Sequence, residues 1–155
     1  MTYVCQITSQ PPARDVEFVA FSFPLTAGLA CLPVAPGGAA HEGALPVLMH
    51  IAPGRWFAPA ASDAIRALLE SLQAEGSLID VEGKWHRFDL IGAGASGVLR
   101  EAIDIDAVLS GRDCAGLQIF DCPAIVTRCP GGYTVWTRSS HAPHLQAQFT
   151  RLAEG

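Results

Sequence analysis

The sequence predicts an α+β fold: a mostly antiparallel sheet punctuated by helices. Three observations carry this. Short runs alternate apolar and polar residues in the manner of half-buried strands; two stretches, Ser62 to Glu75 and Pro143 to Leu152, repeat apolar residues at helical spacing; and Gly and Pro cluster between the runs. Strands outnumber helices without strictly alternating with them. That pattern suits one or two ferredoxin-like β-α-β-β-α-β units.

Taken in order, residues 14–24 alternate well enough for a strand, with which Leu29 to Val34 could pair. Pro33 to Leu45 is rich in Pro, Gly and Ala and reads as a loop. It sets the expected organisation: N-terminal strands and a loop over 1–44, then the main α+β domain over 45–155, together one compact unit. Pro46 to Ala52 is a second apolar strand, and the Pro53-Gly54 turn leads into Arg55 to Ala58. Ser62 is placed to cap a helix whose Ile65, Leu68, Leu69 and Leu72 share one face, with Gly76 suited to a left-handed C-terminal position. Leu78 to Val81 and Lys84 to Ile91 read as strands joined by a tight hairpin turn at Glu82-Gly83.

Ala95, Val98, Leu99, Ala102 and Ile103 form the apolar face of a shorter helix. Sheet then resumes: Ala115 to Phe120, a corner at Cys122-Pro123, Ala124 to Cys129, the turn Pro130-Gly131-Gly132, and Tyr133 to Arg138. Pro followed by Gly favours a type II turn. A last helix starts near Pro143 and aligns Leu145, Phe149 and Leu152.

Gly92, Gly94 and Gly97 spell G-x-G-x-x-G between a strand and a helix, where a dinucleotide-binding loop would sit. The flanks argue against that chemistry. A first strand of that fold is buried on both faces and nearly all apolar, whereas His86, Phe88 and Leu90 alternate here with Arg87, Asp89 and Ile91. The acid that should end the second strand has only Asp113 as a counterpart, and Asp113 precedes its strand. The glycines are expected to pack helix against sheet, leaving no phosphate pocket.

Composition narrows the function classes. The chain has 155 residues, 50% hydrophobic and 16% charged, with a mean hydropathy of +0.28. Apolar surface awaiting a partner would explain this, as would a tightly packed monomer. A net charge of −5 leaves no basic stripe for nucleic acid or an anionic membrane. Met1-Thr-Tyr-Val-Cys lacks the charged and apolar regions of a signal peptide, and no apolar run reaches a membrane span, so the expected location is the cytoplasm. Five cysteines without a C-x-x-C suit reduced, buried thiols.

Candidate chemistry is sparse. Cys114, Cys122, Cys129, His141 and His144 lack the close pairs of a zinc site, and no metal site is expected. Asp104 with Asp106, and Asp80 with Glu82, are the available carboxylate pairs, and no catalytic residue is assigned. Arg138, Ser139 and Ser140 end a strand and open a helix; they suit either an anion site or helix capping. Trp56, Trp85 and Trp136 are candidate interface residues, because tryptophan is the commonest interface anchor, although residues of this kind on short strands are usually half-buried sheet aromatics.

An ordered set of segments resembles a known family. Pro53-Gly-Arg-Trp-Phe, the helix from Ser62, Asp80-Val, Phe88-Asp-Leu-Ile-Gly, Asp104-Ile-Asp, Leu117-Gln-Ile-Phe, Ala124-Ile-Val-Thr-Arg, Gly132-Tyr-Thr-Val-Trp and Arg138-Ser-Ser-His-Ala-Pro-His-Leu succeed one another between Leu45 and Ala153. In that order they are similar to the gamma subunit of heterotetrameric sarcosine oxidase, within the aminomethyltransferase folate-binding family. The resemblance implies a folate-binding-domain-like α+β fold and an accessory, non-catalytic subunit of an oxidoreductase complex in one-carbon metabolism. It implies larger alpha and beta partners and a small delta partner, with tetrahydrofolate, FAD, FMN and NAD serving the complex and none bound by this chain alone. The alternative it leaves open is a stand-alone tetrahydrofolate-binding aminomethyltransferase-like protein. Family enzymes set an acid against the pterin and an arginine near the glutamate tail, and no residue here matches either role.

Overall fold

The computed structural model describes residues 2–10, 13–21, 29, 32 and 37–154. The fold is α+β, and the chain forms two compact units, one of Met1–Pro12 with Lys84–Gly155 and one of Ala13–Gly83. The expected N-terminal segment 1–44 is thus divided between them. Each unit is built on a five-stranded antiparallel sheet.

After β1 (Tyr3–Val4) and β2 (Gln6–Gln10), which belong to the first unit, the chain enters the second with β3 (Val16–Ala20). There follow β4 (Ala39–Glu42), β5 (Leu45–Ala52), β6 (Arg55–Ala58), helix α1 (Asp63–Glu70) and β7 (Gly76–Asp80), with strand order β4-β5-β6-β3-β7. The stretch expected as a loop up to Leu45 therefore contains a strand. Glu42 and Leu45 close a hairpin in which Gly43, at φ +63, is the residue with positive φ, the pattern of a II′ turn. Of the strand expected over Leu29 to Val34, only Leu29 and Leu32 are described, both buried; the rest, like residues 22–24, lies outside the described residues.

Alternation along the strands delivers Val16, Phe18, Leu48, Trp56 and Ala58 to one core, which α1 covers with Leu69 and the half-buried Ile65 and Leu68. Ser62 caps the helix as expected, its Oγ accepting the Ile65 N–H at 3.2 Å. The end differs from expectation. The helix stops at Glu70, and Gly76 lies within β7 rather than in a left-handed cap; glycine is needed there because a Cβ would strike the Phe18 ring and the Val19 carbonyl.

The first unit continues with β8 (Trp85–Ile91), α2 (Ala95–Arg100), α3 (Ile105–Val108), β9 (Cys114–Ile119), β10 (Cys122–Cys129), β11 (Gly132–Arg138), a 3₁₀ turn (Ser139–His141), α4 (Ala142–Leu152) and β12 (Ala153–Glu154). Its sheet runs β2-β8-β11-β10-β9, and β1 pairs in parallel with β12. Two expected connections are replaced. Glu82-Gly83 is no hairpin, since β7 pairs with β3 while β8 lies between β2 and β11. Cys122-Pro123 is no corner: Phe120 and Asp121, at φ +48 and +66, make a two-residue I′-type turn closed by Ile119 and Cys122. The Pro130-Gly131 turn has Gly131 at φ +82, as type II requires.

One face of this sheet presents Phe88, Leu90, Ala124, Val126 and Val135 to Val98 and Leu99 of α2 and to Leu145, Phe149 and Leu152 of α4. Phe88 and Phe149 meet edge to face at 5.7 Å. Pro123 has no N–H to give, and the β10–β11 ladder accordingly begins at Ala124 with Thr137. The Thr137 hydroxyl donates instead to the Pro123 carbonyl at 2.9 Å.

Candidate functional site

The glycine motif is a packing device. β1 crosses directly over it, so a Cβ on Gly92 would lie 2.8 Å from the Val4 carbonyl oxygen, and one on Gly94 would lie 2.7 Å from the Val4 nitrogen. The ring of Tyr3 fills the corresponding space at Gly97. The Gly94 N–H, which a phosphate loop would offer to its ligand, donates to the Val4 carbonyl at 2.8 Å. The residues present therefore do not fit a dinucleotide pyrophosphate. The Tyr3 hydroxyl donates to Glu101, and this carboxylate raises its pKa above the ordinary phenol range.

Arg138 and Trp85, proposed for different roles, form one pair. They are opposite one another on β11 and β8, and the Arg138 guanidinium stands 4.6 Å above the indole. The Ser139 N–H donates to the Lys84 carbonyl at 2.9 Å, which ties the end of β11 to the start of β8. Ser139 and Ser140 are exposed.

None of the three tryptophans is an exposed anchor. Trp56, Trp85 and Trp136 are 1%, 5% and 3% exposed. Trp56 points into the core of its unit beside Phe18, whereas Trp85 and Trp136 alternate with Phe88 and Val135 and so lie on the sheet face opposite the α2–α4 core, the face that carries Arg87 and Thr134. Trp56 meets Phe18 edge to face at 6.1 Å and stacks on His50 at 4.2 Å. The large apolar side chains that are exposed are Val4, Phe21, Leu45 and Ile79.

A polar network that the sequence reading missed lies on the sheet face opposite the α2–α4 core. Asp89 accepts from Arg87 Nε and Nη2 at 3.0 and 3.1 Å, from Gln10 Nε2 at 3.1 Å and from Thr134 Oγ1 at 2.8 Å. Strand register brings these residues from β2, β8 and β11 to one carboxylate. Arg87-Phe88-Asp89, two charges spaced to share a strand face, was the available signal. Its partners could be found only from the pairing.

The carboxylate pairs divide among structural roles. Asp104 caps α3 through the Ala107 N–H at 3.3 Å, and Asp106 pairs with Arg100, raising the guanidinium pKa. Asp80 accepts from the Glu82 N–H at 3.2 Å and pairs with Arg66 at 3.5 Å. Among the described residues, no group of three or more His, Cys, Asp or Glu could hold a metal ion. Cys5, Cys114 and Cys122 are buried, and burial raises the thiol pKa of Cys5 and Cys122, which opposes nucleophilic use. No described helix is long and apolar enough to cross a membrane.

The sequence matches no protein-family model and no curated protein. The fold does have a counterpart. A chain of the heterotetrameric sarcosine oxidase from Corynebacterium sp. U-96, in complex with pyrrole 2-carboxylate, is similar with a TM-score of 0.72 and 17% sequence identity. The likeness covers 99% of this chain and 90% of that one, so the two are close in length and share their fold from end to end.

Proposed function

We propose that this chain is a gamma-like accessory subunit of a sarcosine oxidase-type flavoenzyme complex, packing against larger subunits and carrying no active site of its own. The observation that supports the reading is the fold match, over 99% of this chain and 90% of that one, to a chain of a heterotetrameric sarcosine oxidase. The ordered segments between Leu45 and Ala153 point to the same family. The residues with chemical potential have structural employment: the glycines receive β1, Asp104 caps a helix, and Asp89 ties three strands together.

In this reading the complex oxidatively demethylates sarcosine and passes the one-carbon unit to tetrahydrofolate. FAD, FMN, NAD and tetrahydrofolate belong to its larger chains, and the partners are alpha-, beta- and delta-like subunits in the cytoplasm.

Co-expression with those three subunits tests the proposal. The chain should enter the complex in fixed stoichiometry, and omitting it should lower the yield of assembled, sarcosine-oxidising enzyme. Alone, it should show no flavin absorbance after dialysis and no sarcosine-dependent peroxide. Failure to co-purify, combined with saturable tetrahydrofolate binding by the isolated chain, would replace the proposal with the stand-alone folate-binding reading.

A further inference from the structure

The second unit, Ala13–Gly83, is an insert within the first. The chain leaves the first unit after β2 and returns to it before β8, and these two strands are neighbours in one sheet, with Gln10 opposite Arg87. Within the insert the two ends are also held together: Val16 pairs with Asp80 across β3 and β7, and the Val81 N–H donates to the Asp15 carbonyl at 3.0 Å. The folded insert is therefore a clip that joins the end of β2 to the start of β8. Unfolded, it becomes a long loop between them.

The segment upstream of the insert is held to the first unit by few buried groups. Among residues 2–10 only Cys5 is buried, in the α2–α4 core; Tyr3 and Ile7 are half-buried, and Val4, Gln6, Thr8 and Ser9 are exposed. The segment is further tied by strand pairing to β8 and β12 and by side-chain hydrogen bonds from Tyr3 to Glu101, from Ser9 to His86 at 2.5 Å and from Gln10 to Asp89 at 3.1 Å. A segment of this kind opens locally at lower free energy than the core beside it. Its opening uncovers the glycine turn, because Tyr3 and Val4 lie over Gly92, Gly94 and Gly97.

We infer that β1 and β2 form a strap over the glycine turn that the folded insert holds shut, so that the strap opens far more readily once Ala13–Gly83 unfolds. The coupling passes along the chain. With the insert folded, β2 and β8 meet across about nine joining residues, and with it unfolded across about seventy-five; closure probability falls roughly as the 3/2 power of that length, which raises the opening equilibrium about twentyfold. By linkage, the closed strap stabilises the folded insert by the same factor.

Thiol labelling of the full chain, read peptide by peptide in a mass spectrometer, tests this. Cys5 sits at the junction of β1 and β2, and Cys122, 2% exposed at the start of β10, reports on the rest of the first unit. Trp56→Ala and Phe18→Ala each remove a ring from the core of the insert. In urea sufficient to strip amide protection from β3 and β6 of these variants, Cys5 should be labelled about twentyfold faster than in the wild type at the same urea concentration, and Cys122 at the wild-type rate. The wild-type chain gives a second readout that does not depend on either variant folding. As urea is raised, its Cys5 reactivity should climb with the loss of protection in β3 and β6 and ahead of Cys122. Cys5 labelling that stays at its starting rate with β3 and β6 open, or that rises only together with Cys122, overturns the inference.

Discussion

The ring of Tyr3 lies against the backbone of Gly97, in the space that any side chain at that position would require. The last glycine of the G-x-G-x-x-G motif is thus matched to an aromatic ring from the N-terminal strand. Gly97 is also inside α2, where glycine is ordinarily a liability of about 0.5–1 kcal/mol relative to alanine.

These two effects give a prediction that changes sign. Gly97→Ala in the wild-type background should cost about 1–3 kcal/mol by overpacking. In a Tyr3→Ala background the same change should stabilise by about 0.5–1 kcal/mol, because only the helix preference remains. Urea unfolding of the four proteins measures both steps. Equal effects in the two backgrounds would mean that the ring does not select the glycine.

What was legible in the sequence was local. Ser62 with its apolar spacing marked α1, and Pro130-Gly131 marked the β10–β11 hairpin, because capping and turn chemistry act over a few residues. Glu82-Gly83 misled for the same reason. A turn of that composition says nothing about whether the strands beside it share a sheet, and here β7 and β8 do not. The alternation of β8 set the glycine motif apart from a phosphate-loop context, but the segment that fills the space over it, Tyr3 to Cys5, is remote in sequence and carries no periodic signal. For the tryptophans, composition could not show that all three are buried or which strand face each occupies.

Asp89 should be the most sensitive carboxylate of the first unit. It accepts four hydrogen bonds from Arg87, Gln10 and Thr134, two of them from one guanidinium. Asp89→Ala leaves a half-exposed arginine, a buried hydroxyl and an amide without their acceptor, at an expected cost of about 2–3 kcal/mol. Thr134→Val removes one neutral bond and should cost about 1 kcal/mol. In the double variant the two losses should add to less than their sum, because both belong to one network. Additive losses in denaturant titrations would show that the threonine and the carboxylate act independently.

Trp56 supplies the sharpest distinction between a core residue and a docking anchor. An anchor truncated to alanine leaves the isolated chain folded and weakens assembly, whereas a core tryptophan costs about 3–5 kcal/mol of folding stability. Trp56 is 1% exposed, between the edge-on ring of Phe18 and the stacked ring of His50. Its Nε1 is buried without a hydrogen-bond partner, so the indole contributes through packing and not through its polar atom. Trp56→Phe should therefore be far milder than Trp56→Ala, because it keeps an aromatic ring between Phe18 and His50 and removes an unsatisfied N–H; about 1 kcal/mol or less is expected. Denaturant midpoints of the isolated chain measure both. A Trp56→Ala protein that unfolds at the wild-type midpoint would remove this ring from the core and return it to the surface.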